Sequence, residues 1–344
     1  MRSKRFARLT CAALFAGCVF GLSTAAASAT TLNGAGSTLV APIEAEWATA
    51  WGNSTGNNVI YSPVGSGSGY KDIAQGLVDF GASDAPLSVY STPPCANCVQ
   101  IPWALTATGV SYRIDGLRLP RHTNLHLSGP VLAEIYLGQI TNWADPRIRA
   151  LNKGARIPST PITVLWRSDA SGDTYAFTRY LSDVSGSFAS KVGSSTTVSF
   201  PVGVGARGNS GMASAEAGTN GSIAYIAVSY LIANRQPAIG IKNAAGRYVV
   251  PNLSAIEAAA SVVHGVPSNN QVTIVNPPRR AKSAYVISTF TYAIVPTTSP
   301  KGALLQSFIS YALGGGQRFG PALDFAPLPR VVLGAARATV SAIQ

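Results

Sequence analysis

Short apolar runs rich in β-branched residues alternate with amphipathic helical patterns along most of the chain. The runs read NNVIYSPV, TPITVLW, SIAYIAV and AYVISTFTYAIV. The helical patterns cover residues 39–51, 70–77, 130–137, 174–184 and 304–313. Strands that alternate with helices are typical of parallel sheets, because each parallel connection needs a crossover segment. The order of the segments therefore predicts an α/β fold built on parallel sheets.

Glycine- and serine-rich turns occur where several predicted strands give way to helices. They read NGAGST at 33–38, GSGSG at 65–69, RSDASG at 167–172 and GVGARGNSG at 203–211. Glycine lets backbone N–H groups approach a ligand, and a helix N-terminus carries partial positive charge. None of the turns has the Gly-Lys-Ser/Thr of a P-loop or the complete dinucleotide fingerprint. One such turn is typical of an ordinary loop, but four of them predict a shared anion site.

Residues 1–29 have the pattern of a secretory signal peptide. Four basic residues precede the apolar run CAALFAGCVFGL, and small residues lead to Ala29. This pattern predicts cleavage near Ala29 and a periplasmic or secreted protein. Two alternatives stay open: a membrane anchor, for which the run is short, and a lipoprotein modified at Cys18. Removal of the four basic residues lowers the formal net charge from +12 to +8.

The remaining 315 residues are enough for two domains. Apolar residues make up 47% of the chain and charged residues only 12%, which favours packed cores over disorder. The basic residues are scattered along the sequence, and the one tight cluster, at 279–282, has no interleaved aromatic residues. We therefore predict a solvated basic surface and no nucleic-acid partner.

Two cysteines, Cys95 and Cys98, remain after cleavage, and they form a C-A-N-C motif in a proline-rich loop. In an exported protein this spacing predicts a local disulfide. A thioredoxin-like redox pair is the alternative, but such a pair opens a helix in a βαβ unit. None of the three histidines lies at ligand spacing from the cysteines, so no metal site is predicted.

Five motifs together resemble a known family. They are GAGST followed by A-P and W (34–47), DFGASDAPL (79–87), LAEIYLGQITNW (132–143), RSDASG (167–172) and GARGNSG (205–211). In this order, from residue 32 to about 329, they resemble the PstS-type phosphate-binding proteins of bacterial phosphate ABC transporters. The resemblance implies a two-lobed, type II periplasmic-binding-protein fold with a hinge and an interlobe ligand cleft.

The resemblance also implies a domain division and a function. We expect lobe I to contain residues 30–107 and 286–344, and lobe II to contain residues 108–285. The implied function is the capture of inorganic phosphate for a membrane permease of the phosphate ABC transporter. A protein of this kind is not an enzyme, needs no cofactor and is expected to be a monomer.

Matching the family's motifs residue by residue implies a set of phosphate ligands. They are Thr38, Leu39, Ser66, Asp84, Arg167, Ser171, Gly172 and Asp173. Asp169 is expected to hold the guanidinium of Arg167, with an ordinary turn residue as the alternative. The family often has an aromatic residue where this chain has Leu39, and often has threonine where it has Asp173.

Asp84 is the expected selector for phosphate over sulfate. Phosphate keeps a proton near neutral pH and can donate it to a carboxylate, whereas sulfate would meet only lone pairs and negative charge. Two interpretations of Asp173 stay open. Its side chain could face the helix dipole and point away from the ligand, or it could be a second proton acceptor that favours monobasic phosphate.

Two other functions remain as alternatives. A secreted phosphatase on the same scaffold would need a nucleophile beside a base, and neither Ser66 nor Ser171 has a base in its motif. A binder of another tetrahedral oxyanion would use the same donors without the selection that Asp84 provides.

Overall fold

The structure, a computed structural model, describes residues 29–344. The predicted signal peptide, apart from its last residue, therefore lies outside the described residues. Eleven helices lie in the described part of the chain: α1 Ala41–Thr55, α2 Ser66–Ala74, α3 Gly129–Tyr136, α4 Pro146–Leu151, α5 Gly172–Val184, α6 Gly186–Lys191, α7 Gly208–Gly218, α8 Val228–Ala233, α9 Leu253–Ala260, α10 Gly302–Ala312 and α11 Arg330–Val340. All five predicted helices are present, with ends shifted by a few residues.

Eleven strands accompany the helices in the described residues. They are β1 Thr31–Gly36, β2 Asn58–Ser62, β3 Phe80–Ser83, β4 Cys98–Tyr112, β5 His126–Leu127, β6 Thr163–Arg167, β7 Val204–Ala206, β8 Ser222–Ala227, β9 Gly240–Lys242, β10 Tyr248–Val249 and β11 Ser288–Pro296. Eight of them form one sheet in the order β2-β1-β3-β11-β4-β8-β6-β7, and β10-β9-β5 form a second.

The large sheet is mixed, so the expectation of parallel sheets is only partly correct. The outer strands on each side are parallel: β1 pairs with β2 and β3, and β6 pairs with β7 and β8. The central pair, β11 and β4, is antiparallel. β4 runs from the half that contains β1–β3 into the half that contains β6–β8, and β11 begins where the chain has returned, so the two strands run in opposite directions.

The strand partners of β4 change in the middle of this 15-residue strand. Residues 98–107 pair with β11, whereas Thr108 and the residues after it pair with β8. Each side of this point has its own aromatic core. Trp47, Trp103 and Phe308 pack together on one side, and Tyr136, Phe177 and Tyr225 pack on the other. The protein thus has the two-lobed α/β fold that the motifs implied.

The proline-rich loop before β4 contains the predicted disulfide. Cys95 and Cys98 are bonded, with their Cα atoms 5.1 Å apart. The prediction of a local disulfide is confirmed. The bond closes a loop of a few residues at the start of the strand that later crosses between the lobes.

No helix among residues 29–344 has both the length and the apolar character that a membrane crossing requires.

Candidate anion-binding site

Four helix N-termini meet between the two lobes, and each follows one of the glycine- and serine-rich turns. Ser66, the first residue of α2, accepts a hydrogen bond from the N–H of Gly172, the first residue of α5 (3.1 Å). Asn209, in the first turn of α7, donates its Nδ2–H to the Oγ1 of Thr38, just before α1 (2.9 Å). The first N–H groups of a helix lack intrahelical partners and attract anions.

The site is almost completely removed from solvent. Its polar side chains are at most 7% exposed; they are Ser37, Thr38, Ser66, Asp84, Arg167, Ser171, Asp173 and Asn209. Gly172 allows a close approach between the lobes, because a Cβ atom there would lie 2.5 Å from the Cβ of Asp84. Any larger residue at position 172 would push the two halves of the site apart.

Lobe I contributes hydroxyl groups and one carboxyl group to the site. The Oγ of Ser37 lies 2.7 Å from both carboxylate oxygens of Asp84, and the Oγ of Ser66 lies 3.3 Å from one of them. Ser37 also accepts from the N–H of Leu39 (3.0 Å), so it ties the turn before α1 to Asp84. The structure therefore brings the turn of Thr38 and Leu39 close to Ser66 and Asp84, and their role as phosphate ligands stays a prediction.

Lobe II contributes a buried arginine between two carboxylates. The Nε of Arg167 donates to Asp169 at 2.7 Å, and Nη2 donates to the other oxygen of the same carboxylate. Nη1 donates to Asp173 at 2.9 Å. Asp169 also accepts from the N–H of Gly208 (2.9 Å). Asp169 thus occupies the position expected of a residue that orients Arg167.

Asp173 lies inside this network. One carboxylate oxygen accepts from Thr108 at 2.7 Å, and the other accepts from Asn209 at 2.8 Å in addition to Arg167. The side chain therefore faces Arg167 and the start of α7. Neither interpretation of Asp173 included this pairing, and its role toward a ligand stays a prediction.

The backbone of α5 completes the donor set. Ser171 is the N-cap of α5, and its Oγ accepts from the N–H of Thr174 at 3.4 Å. Both Ser171 and Gly172 are buried, and Gly172 lies against Asp84 and donates its N–H to Ser66. Their role as phosphate ligands stays a prediction.

The ionisable groups respond differently to burial. Burial, and to a smaller extent the charge of Asp173, raises the pKa of Asp84 to about 8, against the effect of its hydroxyl donors. Burial also raises the pKa of Asp173, although its hydrogen-bonded neighbours oppose the shift. Burial acts on Asp169 in the same direction, but the hydrogen bond and charge of Arg167, together with backbone N–H donors, outweigh burial and lower the pKa of Asp169.

Three side chains of the site were missed by the sequence reasoning. Ser37 precedes Thr38 in a turn that was already recognised, and Asn209 lies in the fourth glycine-rich turn, so both had a local signal. Thr108 had none, because its contact with Asp173 depends on where β4 crosses between the lobes. In residues 29–344, no three His, Cys, Asp or Glu side chains come together as a metal site.

Residues 23–315 match a family model described as the PBP superfamily domain. A phosphate-binding protein PstS of Xylella fastidiosa (strain Temecula1) is 33% identical over 302 residues, which cover 87% of this chain and 81% of that protein. A phosphate-binding protein PstS of Haemophilus influenzae is 34% identical over 314 residues, with 89% and 91% covered. The chain belongs to the PstS family of phosphate-binding proteins.

The solved structures agree with this assignment at the level of the fold. A phosphate-binding protein from Stenotrophomonas maltophilia matches with a TM-score of 0.67 at 20% identity, over 90% of this chain and 94% of that one. The two-lobed architecture is therefore shared with a protein whose sequence has diverged widely.

Proposed function

We propose that the protein captures inorganic phosphate between its lobes and delivers it to the membrane permease of a phosphate ABC transporter. The observation that carries the proposal is the meeting of four helix N-termini with the buried guanidinium of Arg167. This arrangement offers many N–H and O–H donors, those of the guanidinium of Arg167 included, to an anion that is shielded from water. Membership of the PstS family supports phosphate as that anion.

The proposed ligand set is the one that the motifs implied. It consists of Thr38, Leu39, Ser66, Asp84, Arg167, Ser171, Gly172 and Asp173, with Asp169 holding Arg167. Asn209 is added as a residue that joins the two halves. The order of events we propose is binding to one lobe, followed by closure that brings Ser66 to Gly172 and Thr38 to Asn209.

The proposed division into lobes has residues 30–107 and 286–344 in lobe I and 108–285 in lobe II. The change of strand partners at Thr108 supports the first boundary. One segment of lobe II lies against lobe I: Asn270 donates to the carbonyl of Gln100, and Val272 hydrogen-bonds to Tyr292. We propose that this segment stays with lobe I when the hinge opens.

The proposed export rests on the basic and apolar pattern of residues 1–29, with cleavage near Ala29. Mass spectrometry of the protein recovered from the periplasm or medium tests the cleavage site. A mature protein that begins at Cys18 would show that the lipoprotein alternative is correct.

Calorimetric titration of the mature protein with phosphate and with sulfate tests the function. We expect phosphate to bind at one site per chain and sulfate to bind much more weakly at pH 9. Equal affinities would show that the site takes tetrahedral oxyanions without selection. Steady turnover of a phosphomonoester would instead favour the phosphatase alternative.

A further inference from the structure

The positive charge of the protein is concentrated in one part of the chain. Residues 108–285 contain 17 Lys and Arg and 8 Asp and Glu, a formal net charge of +9. Residues 30–107 and 286–344 contain 5 Lys and Arg and 6 Asp and Glu, a formal net charge of −1. A phosphate site with one buried arginine does not need this asymmetry.

Nine of these cations form a group that we call the basic stripe. Its members are Arg118, Arg121, Lys153, Arg156, Lys242, Arg247, Arg279, Arg280 and Lys282, and all nine are exposed. The four segments that hold them, 116–128, 150–158, 240–250 and 276–284, contain no Asp or Glu. None of the nine forms a salt bridge with a carboxylate of the described residues.

Local contacts join the first two segments of the basic stripe. Arg118 and Arg156 face each other in an antiparallel bridge, with N–H to carbonyl distances of 3.1 and 2.8 Å. Like charges in directly opposite positions repel each other. Asn152, next to Lys153, exchanges hydrogen bonds with the backbone of His126 in β5.

The small sheet and one buried asparagine continue the basic stripe. β5 pairs with β9, which holds Lys242, and β9 pairs with β10. Asn243 donates to the carbonyl of Lys282 at 3.0 Å and accepts from the N–H of Arg247 at 3.1 Å. The cations at 279–282, which stand alone in the sequence, thus become neighbours of those at 242–247.

A surface pocket of about 280 Å³ is lined by residues from three of the four segments of the basic stripe. Lys153 lines it, and so do the stacked rings of His126 and Tyr248, whose centroids are 4.1 Å apart. The Nζ of Lys242 lies 5.9 Å from the centroid of the Tyr248 ring. The pocket therefore combines a flat aromatic wall with two nearby cations, Lys153 and Lys242.

We propose that the basic stripe binds a linear chain of phosphate groups, as in inorganic polyphosphate, at a site separate from the interlobe cleft. A group of exposed cations without carboxylate partners matches a ligand with repeated negative charge, and binding releases the counterions of that ligand. Six of the nine cations are arginines, whose planar guanidinium groups bind phosphate oxygens in pairs.

Other anionic partners fit the surface less well. None of the exposed large apolar side chains of residues 29–344 belongs to the four segments, so the stripe has nothing of that kind to insert into a lipid bilayer. Single-stranded nucleic acids bind on successive aromatic platforms, and the stripe has one stacked pair.

The test measures binding of fluorescently labelled short-chain polyphosphate to the mature protein over a range of salt concentrations. We compare the wild type with Lys242→Ala/Arg280→Ala/Lys282→Ala, which removes three cations of the basic stripe. The matched control is Arg149→Ala/Arg179→Ala/Lys191→Ala, which removes three exposed cations elsewhere in lobe II. We expect the stripe variant alone to lower the slope of log K against log salt, by about 2.

Equal weakening of polyphosphate binding in both triple variants would overturn the proposal, because the net charge of the protein would then be sufficient to explain the binding. Polyglutamate, anionic vesicles or single-stranded DNA bound more tightly than polyphosphate would overturn it as well. Titration with orthophosphate should give the same affinity for all three proteins and show that they are folded. Loss of orthophosphate binding in the wild type would contradict the proposed function and leave this inference unaffected.

Discussion

The two halves of the interlobe site handle buried charge in different ways. In lobe II, Arg167 lies between Asp169 and Asp173, so each charge has an opposite charge within hydrogen-bond distance. In lobe I, Asp84 has serine hydroxyls as its hydrogen-bond partners and no cation from its own lobe. The pKa of Asp169 is lowered and that of Asp84 is raised to about 8. Lobe II thus pairs its buried charges with one another, whereas the charge of Asp84 in lobe I depends on the pH near 8.

Removal of Arg167 should have the largest effect, because Arg167 is the cation that pairs with both buried carboxylates of the lobe II network. Arg167→Ala leaves Asp169 and Asp173 buried without their cation, which costs about 3–5 kcal/mol of unfolding free energy. Phosphate binding should be lost to calorimetry. Arg179→Ala is the matched control, because its partner Asp183 lies on the surface and the pair contributes at most about 1 kcal/mol. Similar losses of unfolding free energy and of phosphate binding in the two variants would contradict the proposed role of Arg167.

Asp84→Asn changes the one carboxyl group of lobe I. Sulfate carries no proton and can pair with Asp84 only while Asp84 is protonated. We therefore expect wild-type selectivity for phosphate over sulfate to increase as the pH rises through about 8. The asparagine variant should lose about 2–3 kcal/mol of selectivity at pH 9 and show little dependence on pH. Titrations of the two proteins with phosphate and sulfate at pH 6 and 9 measure the selectivity and its pH dependence. Unchanged selectivity of the variant at pH 9 would exclude Asp84 as the selector.

Asn209 hydrogen-bonds to both lobes, whereas Arg167 and Asp84 each belong to one lobe. Its Nδ2 donates to Thr38 of lobe I and to Asp173 of lobe II, and its Oδ1 accepts from the N–H of Ala227. Asn209→Ala should weaken phosphate binding by about 1–2 kcal/mol, because the closed form loses a buried link between the lobes. Small-angle scattering should show a larger open fraction at subsaturating phosphate. An unchanged affinity would mean that closure does not depend on this link.

Glu44 provides a comparison with Asp84 inside the same lobe. It is 2% exposed, its Oε1 has no hydrogen-bond partner among residues 29–344, and burial raises its pKa to about 8. The folded protein then holds a proton that the unfolded chain releases above about pH 4.5. Stability is therefore highest at low pH and falls as the pH rises toward 8, by at most about 1.4 kcal/mol per unit for this group.

Glu44→Gln should flatten this part of the pH dependence, measured by urea unfolding between pH 5 and pH 8. Asp84→Asn should flatten it as well, because the pKa of Asp84 is shifted in the same direction. Only the Asp84 variant should also change anion selectivity. A Glu44 variant that alters selectivity would show that the two carboxyl groups act as one unit.

The positions of the site residues were predictable to the extent that they lie in local motifs. The four turns before α1, α2, α5 and α7 were recognised from glycine and serine at the ends of apolar runs. Thr38, Ser66, Asp84 and Arg167 all lie in or beside such motifs. The pairing of Asp173 with Arg167 could not be predicted, because a carboxylate in the first turn of a helix usually faces solvent and the dipole.

The basic stripe was even less predictable from the sequence than the site. In the sequence, Arg279, Arg280 and Lys282 form an isolated cluster, and Lys242 and Arg247 lie more than thirty residues away. The fold brings them together through Asn243, which is buried and hydrogen-bonded to both segments. Nothing in the sequence of either segment indicates that the two segments are neighbours in the fold.

Local sequence determined the α/β class, the disulfide between Cys95 and Cys98 and the turns that form the site. Each of these features depends on the period of the hydrophobic pattern, on the conformational freedom of glycine or on a spacing of a few residues. The tertiary structure decided the antiparallel centre of the sheet, the link from Asn209 to Thr38 and the raised pKa of Asp84. Those features depend on burial and on contacts between distant segments, because a buried charge is governed by what surrounds it rather than by its neighbours in sequence.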